Sequence, residues 1–175
     1  MIELYSLMWI IAAFTGVLGF LRGWNKEIVV TAAAVLAMFL LFQFDSLLRG
    51  TLLVVFPRDQ AFFIQSGIFL LIIYGAYQNR AFVPRGARRN TTASILGGLV
   101  GFLNGYLIAG AIWYFLDINE YPLDPLIIAP SVSSPSAQYL PSMPMVVLSG
   151  GVAGTGDFLA IIVIGLLLLV ILSIS

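Results

Sequence analysis

The chain has 175 residues, of which 61% are hydrophobic and only 9% are charged, and its mean hydropathy is +1.05. Soluble domains are roughly 45–50% apolar and about 25% charged, so this composition predicts an integral membrane protein. Eight basic and eight acidic residues cancel, which gives no support to nucleic-acid binding. The sequence contains no His and no Cys, the usual ligands of haem, zinc, copper and iron–sulfur clusters. We therefore expect neither a metal nor another cofactor.

Five uncharged apolar runs are predicted to form transmembrane helices, because about 20 helical residues cross the apolar core of a bilayer. In chain order they are 4–21, 28–44, 61–77, 94–116 and 158–175. A sixth apolar stretch, 52–56, is too short to span and predicts an interfacial or re-entrant turn. The fold class expected is thus an all-α membrane protein with about five spans.

The basic residues predict the orientation of these spans. Arg22 and Lys26 follow the first span, and four arginines separate the third and fourth spans: Arg80, Arg85, Arg88 and Arg89. The opposite loop has only Arg49 and Arg58. By the positive-inside rule, the N-terminus is outside and the C-terminus is cytoplasmic.

The connection 117–157 differs from the rest of the chain. It has six of the eight prolines and neither Lys nor Arg. Proline fixes φ and lacks a backbone donor, so we expect an extended strap on the outer membrane surface or on a neighbouring protein. A disordered loop is the alternative. This division gives a helical membrane domain at 1–116, an extracytoplasmic strap at 117–157 and a C-terminal transmembrane helix at 158–175.

Two stretches of the chain match each other. GVLGFLRGW from Gly16 and GLVGFLNGY from Gly98 both read G-x-x-G-F-L-x-G-aromatic. In the predicted topology they lie on antiparallel helices, as in the inverted repeats of membrane transporters. Duplication and chance similarity between glycine-rich helices both account for the match.

Small residues recur along the first and fourth spans. The stripe on the fourth span is Gly97, Gly101, Gly105 and Ala109, and that on the first is Ala12, Gly16, Gly19 and Gly23. Such spacing lets two helix backbones approach closely. Packing within the chain, packing against another subunit and the lining of a pathway are the three interpretations.

The same region resembles a known family. The pattern G-x-x-R-G-x-x-x-E from Gly19 to Glu27 and the run ILGGLVGFLNGYLI at 95–108 are similar to the colicin V production protein (CvpA-like) family over residues 4–117. The resemblance implies a small polytopic protein of the bacterial cytoplasmic (inner) membrane, linked to colicin V export and envelope maintenance, with channel-like roles suggested. Asn104 departs from the family, which usually has Arg before this glycine, and the proline-rich strap and the fifth span lie outside the clear likeness.

The candidate contact residues are charged and lie at span ends. Arg22, Lys26 and Glu27, with Arg85, Arg88 and Arg89, are predicted to contact lipid or a partner; a plain cytoplasmic anchor is the alternative. Arg22 and Lys26 would share one face if the helix continued through them. Asn104 is strongly polar within a span, which predicts a hydrogen bond to a neighbouring helix or an ion or substrate contact.

None of the five predicted spans contains an acid or a base, which disfavours ion-coupled transport, and the sequence offers no catalytic set. We therefore expect a protein that is not an enzyme. The function expected is an accessory subunit of a larger membrane complex, for example in respiratory or photosynthetic electron transfer, that binds no redox cofactor itself. Its partners would be membrane lipids and other integral subunits, without nucleic acid or metal. The alternative is a homo-oligomeric channel or export component.

Overall fold

The computed structural model describes residues 3–78 and 91–174, apart from the side chains of Leu167 and 169–174. It is 79% helical, and the described residues form no strand. The helices are α1 (Leu4–Arg22), α2 (Trp24–Gln43), α3 (Asp45–Leu47), α4 (Arg58–Gln78), α5 (Thr91–Ile118), α6 (Pro135–Tyr139), α7 (Pro144–Ser149) and α8 (Asp157–Ile174). A π-helical turn, Leu48–Leu52, follows α3, and a 3₁₀ turn, Leu140–Ser142, follows α6.

Four of these helices, α1, α2, α4 and α5, are long and apolar enough to cross a membrane. This agrees with an all-α membrane protein, although the helices extend beyond the predicted uncharged runs. For example, α2 includes Lys26 and Glu27, and α4 begins at Arg58. Charged residues ended the predicted runs, but they do not end a hydrogen-bonded helix. The fifth predicted span corresponds to α8, and its crossing stays a prediction.

A single residue, Gly23, separates α1 from α2. It has φ +84° and ψ 158°, and its N–H donates to the Gly19 carbonyl at 2.8 Å. This φ lies in the region that glycine adopts without a Cβ penalty. Because the break falls between Arg22 and Lys26, these two side chains do not share a face of one continuous helix.

The centre of the fold is an antiparallel pair formed by α1 and α5. The end of α1 at Gly23 meets the start of α5 at Gly97, and Ala12 meets Gly105. We call the end with Leu4 and Ile118 the strap end and the other the loop end. On another side of α5, α2 packs between α5 and α4 and also contacts α8. The buried core includes Val30, Met38, Phe69, Phe115 and Leu159.

The connection between α5 and α8 folds onto this pair. Its two short helices, α6 and α7, each begin with a proline, a residue that suits the first helical position because its missing N–H has no helical partner there. Met143 and Met145 are buried, and Pro144 lies against Gly110. Gly110 is eight residues before the end of α5, so α7 reaches about 12 Å along that helix. The expectation of an extended strap is therefore wrong over 135–149.

The short apolar stretch 52–56 lies at the strap end; Leu52 is the last residue of the π-helical segment, and 53–56 form bends and turns. Val54 and Val55 are exposed on it. The turns and bends of 53–56 agree with a stretch too short to span, and its interfacial or re-entrant position stays a prediction.

Candidate functional site

The glycine stripes of α1 and α5 face each other at backbone contact. A Cβ atom built on Gly19 would lie 2.2 Å from the Gly97 carbonyl oxygen, and one on Gly105 would lie 2.7 Å from the Ala12 Cα. Such distances leave no room for any side chain. Ala109 lies beyond this seam, where it lines a neighbouring cleft. The seam therefore packs two helices of the same chain, which is the first of the three interpretations of the stripes.

The two copies of the repeated motif pack on each other reciprocally. A Cβ on Gly16 would meet Phe102 at 3.2 Å, and one on Gly98 would meet Phe20 at 3.4 Å. The two motifs are 82 residues apart, so Gly98 is the equivalent of Gly16 and Phe102 is the equivalent of Phe20. Each glycine therefore contacts the phenylalanine of the other motif. The α1–α5 crossing is thus pseudo-two-fold symmetric, the arrangement that an inverted repeat produces.

Asn104 occupies the middle of a polar cluster toward the loop end of the helices. Its side chain is fully buried, and Nδ2 donates both to the Glu27 carbonyl at 2.9 Å and to Glu27 Oε2 at 2.8 Å. Its Oδ1 accepts from the Thr31 hydroxyl at 2.7 Å. The amide therefore joins α5 to α2, the bond to a neighbouring helix that a membrane asparagine favours.

Glu27 is the buried acid of this cluster, with only 1% of its surface exposed. Its Oε2 also accepts from the Tyr77 hydroxyl at 3.4 Å. Its Oε1 lies 4.0 Å from the Arg22 guanidinium and forms no hydrogen bond within the described part of the chain. The Arg22 guanidinium itself rests 4.5 Å from the centre of the Tyr77 ring, in cation–π geometry.

The position of Glu27 corrects two expectations. Its carboxylate points into the bundle, so it is not available to lipid as predicted, and a candidate membrane span, α2, does contain a buried acid. The physical reason is that α2 begins at Trp24, which places Glu27 in the first turn of the helix. There a negative charge is favoured by the helix dipole, and Asn104 supplies hydrogen bonds.

The remaining predicted contact residues lie on the surface or outside the described residues. Arg22 and Lys26 are exposed at the loop end, where lipid or a partner can reach them. Arg85, Arg88 and Arg89, with Arg80, fall outside the described residues. The described basic residues of this surface are thus Arg22 and Lys26.

A second group of polar contacts joins the helices and turns at the strap end. Asn119 Nδ2 donates to Gln65 Oε1 at 2.8 Å, which joins α5 to α4. Arg58 pairs with Glu120, and Arg49 donates to Asp45 at 2.6 Å and to the Ile118 carbonyl at 3.0 Å. The hydrogen bond to Asp45 raises the pKa of Arg49 above its ordinary value. Sequence reasoning missed the Gln65–Asn119 pair because Asn119 follows the predicted end of its span.

Both groups of polar contacts connect helices to one another. Within residues 3–78 and 91–174, no three His, Cys, Asp or Glu side chains converge as a metal site would require. Asn104 and Glu27 are sealed from solvent by the surrounding helices. The polar cluster therefore joins α2, α4 and α5, and through Arg22 it reaches the end of α1.

Comparison of the chain with protein-family models, with curated proteins and with solved structures finds no match.

Proposed function

We propose that the chain is a non-catalytic membrane protein that serves as an accessory, structural subunit of a larger bacterial membrane complex, such as one of respiratory or photosynthetic electron transfer. The observation that supports this most is the α1–α5 seam. Backbone contact at Gly19, Gly97 and Gly101 leaves no passage between the two helices. A scaffold gains from such a closed core, because it holds outward-facing surfaces in fixed positions.

Those outward-facing surfaces are strongly apolar. On α1, Ile10, Phe14 and Val17 are 62–64% exposed, and on α4 Leu71 is 70% exposed. In a membrane such faces are covered by lipid or by helices of other subunits. The proposal assigns part of this surface to other integral subunits, with no redox cofactor held by this chain.

The topology that we propose has five spans, with the N-terminus outside, α8 as the fifth span and the C-terminus cytoplasmic. Arg22 and Lys26 at the loop end support this orientation under the positive-inside rule. The connection between α5 and α8 then lies on the extracytoplasmic side of the bacterial cytoplasmic membrane.

The test is extraction of the tagged chain from its native membrane in mild detergent, followed by native separation and mass spectrometry. The proposal predicts integral subunits of other sequence in fixed stoichiometry with this chain. A matched sample with Gly19→Leu, which opens the seam, should lose these subunits. Recovery of the wild-type chain only as a homo-oligomer would refute the accessory role.

A second candidate function, a small channel or export component as the CvpA-like resemblance implies, is favoured by one observation. Glu27 is a buried acid in a candidate span, and ionisable groups at such positions often mark ion pathways. The test is ion flux through the purified chain in liposomes. A channel at the cluster predicts altered flux in Asn104→Leu and Glu27→Gln, whereas unchanged flux in both variants would refute it.

A further inference from the structure

Two adjoining cavities lie at the strap end, between α1, α5 and the segment 125–131. The upper cavity, which lies at the start of α1 and whose opening we call the mouth, has a volume of about 280 Å³ and is lined by Glu3, Ser131 and Ser136 among others. The lower cavity, of about 200 Å³, is lined by apolar residues that include Ile11 and Ile112. Both share three residues: Leu4, Leu7 and Ile127. We call the two together the strap cleft.

The polarity of the strap cleft changes along α1. Its upper part contains a carboxylate and two hydroxyls, whereas its lower part is bounded by Met8, Ile11 and Ile108. Ile11 is seven residues beyond Leu4, so the apolar part extends about 10 Å along the helix. A lipid has a polar headgroup joined to apolar acyl chains. The cleft has polar groups at one end and apolar residues at the other, in the same order along a candidate span.

The polar part of the strap cleft is a built feature. Ser136, with 1% of its surface exposed, donates to Glu3 Oε2 and accepts from the Tyr5 N–H at 3.2 Å. These bonds hold the Glu3 carboxylate at the mouth, where its remaining lone pairs can accept from a further donor. Beside it, the segment 128–131, which has no regular secondary structure, also lines the upper cavity.

The charge at this mouth distinguishes between headgroups. Glu3 is the charged residue among the lining residues of this mouth. An ammonium group is attracted to such a site and can form a charge-assisted hydrogen bond with the carboxylate. A headgroup that is anionic overall is repelled.

We propose that the strap cleft binds one phospholipid whose headgroup has a primary ammonium, with that ammonium at Glu3 and the part of one acyl chain nearest the headgroup in the lower cavity. Leu7 and Ile112 then contact the chain, and the strap covers the glycerol region. The site goes beyond the proposed subunit role, since it requires only that α1 and α5 lie in a membrane.

The test uses the full chain, purified in detergent and stripped of lipid, with bound lipid measured by native mass spectrometry. The probes are palmitoyl-oleoyl phosphatidylethanolamine and palmitoyl-oleoyl phosphatidylglycerol. We expect one phosphatidylethanolamine per chain, bound about tenfold more tightly than phosphatidylglycerol, the ratio that one charge-assisted hydrogen bond provides. Equal affinity for the two lipids would overturn the proposal.

Three variants separate the parts of the site. Glu3→Gln should abolish the preference for phosphatidylethanolamine, whereas Asp124→Asn, an equal loss of charge outside the cleft, should keep it. Leu7→Trp, at a position 37% exposed, should fill the lower cavity and weaken the binding of both lipids. An unchanged preference in Glu3→Gln, a lost preference in Asp124→Asn, or unchanged binding in Leu7→Trp would each refute the site.

Discussion

Gly19 and Gly101 lie so close across the α1–α5 interface that a Cβ atom built on either would be 2.8 Å from the Cα atom of the other. Dispersion contacts at this separation involve backbone atoms of both helices. In a membrane, where lipid and side chains are equally apolar, such close packing is a main source of helix association. The relationship explains why glycines recur on these two helices, and it leads to the first prediction.

Gly19→Ala should destabilise the protein by about 3 kcal/mol, the upper end of the usual cost of overpacking an interior site. The new methyl group would lie 2.2 Å from the Gly97 carbonyl oxygen, so the two helices must separate. The matched control is Gly75→Ala on α4, where a Cβ would meet no atom of another described element within 4 Å, and its stability should change by less than about 1 kcal/mol. Thermal unfolding in detergent measures the stability of both variants. Equal unfolding midpoints would contradict the backbone contact between α1 and α5 at Gly19.

Asn104→Leu should cost about 2 kcal/mol, because it leaves the buried Glu27 Oε2 and Thr31 hydroxyl with fewer partners. Thr31→Val, which keeps the shape and removes one interhelical bond, should cost about 0.6 kcal/mol. Denaturant unfolding of the two variants gives the comparison. A smaller loss of unfolding free energy for Asn104→Leu than for Thr31→Val would show that Asn104 is not the central residue of the polar cluster.

Arg22→Gln should destabilise the chain by about 1 kcal/mol, a modest value because 41% of the arginine side chain is exposed. The loss arises because the buried Glu27 carboxylate then lacks its cationic neighbour. Adding Glu27→Gln to the same chain removes that uncompensated charge. The double variant should therefore lose less stability than the sum of the losses in the two single variants. Strict additivity of the losses would show that the pair is not coupled.

Gly110→Ala should release the strap without unfolding the helices. Its methyl group would lie 2.2 Å from Pro144 Cγ, so α7 must move away from α5. Amide hydrogen exchange over 135–149 should rise, while exchange in the α1–α5 pair stays slow. Gly67→Ala, whose Cβ meets open space, is the control, and equal exchange in the two variants would show that α7 is not held at Gly110.

Hydropathy and residue spacing predict much of the fold. The four candidate spans follow from apolar runs of nearly the length that a bilayer requires, and the glycine stripes mark the two helices that pack at backbone contact. Both signals are local and periodic. They can be recognised in the sequence because residues three or four positions apart lie on the same face of an uninterrupted helix.

The candidate site was only half predictable, for reasons visible at Glu27 and Pro144. A charge beside an apolar run indicates an interfacial anchor, and only the position of Asn104 on another helix shows that Glu27 is buried. Prolines disfavour long helices, but they also start short ones, so Pro144 could not be assigned from the sequence to a segment packed on Gly110. Both outcomes depend on contacts between residues that are distant in the sequence.

The most direct test of the accessory role is the mass of the native particle extracted from its own membrane in mild detergent and stripped of that detergent in a mass spectrometer. The chain weighs 19.0 kDa. The accessory role predicts a particle that contains this chain together with other polypeptides, so that dissociation releases a 19.0 kDa chain and chains of other masses. A particle that dissociates into 19.0 kDa chains alone would contradict it.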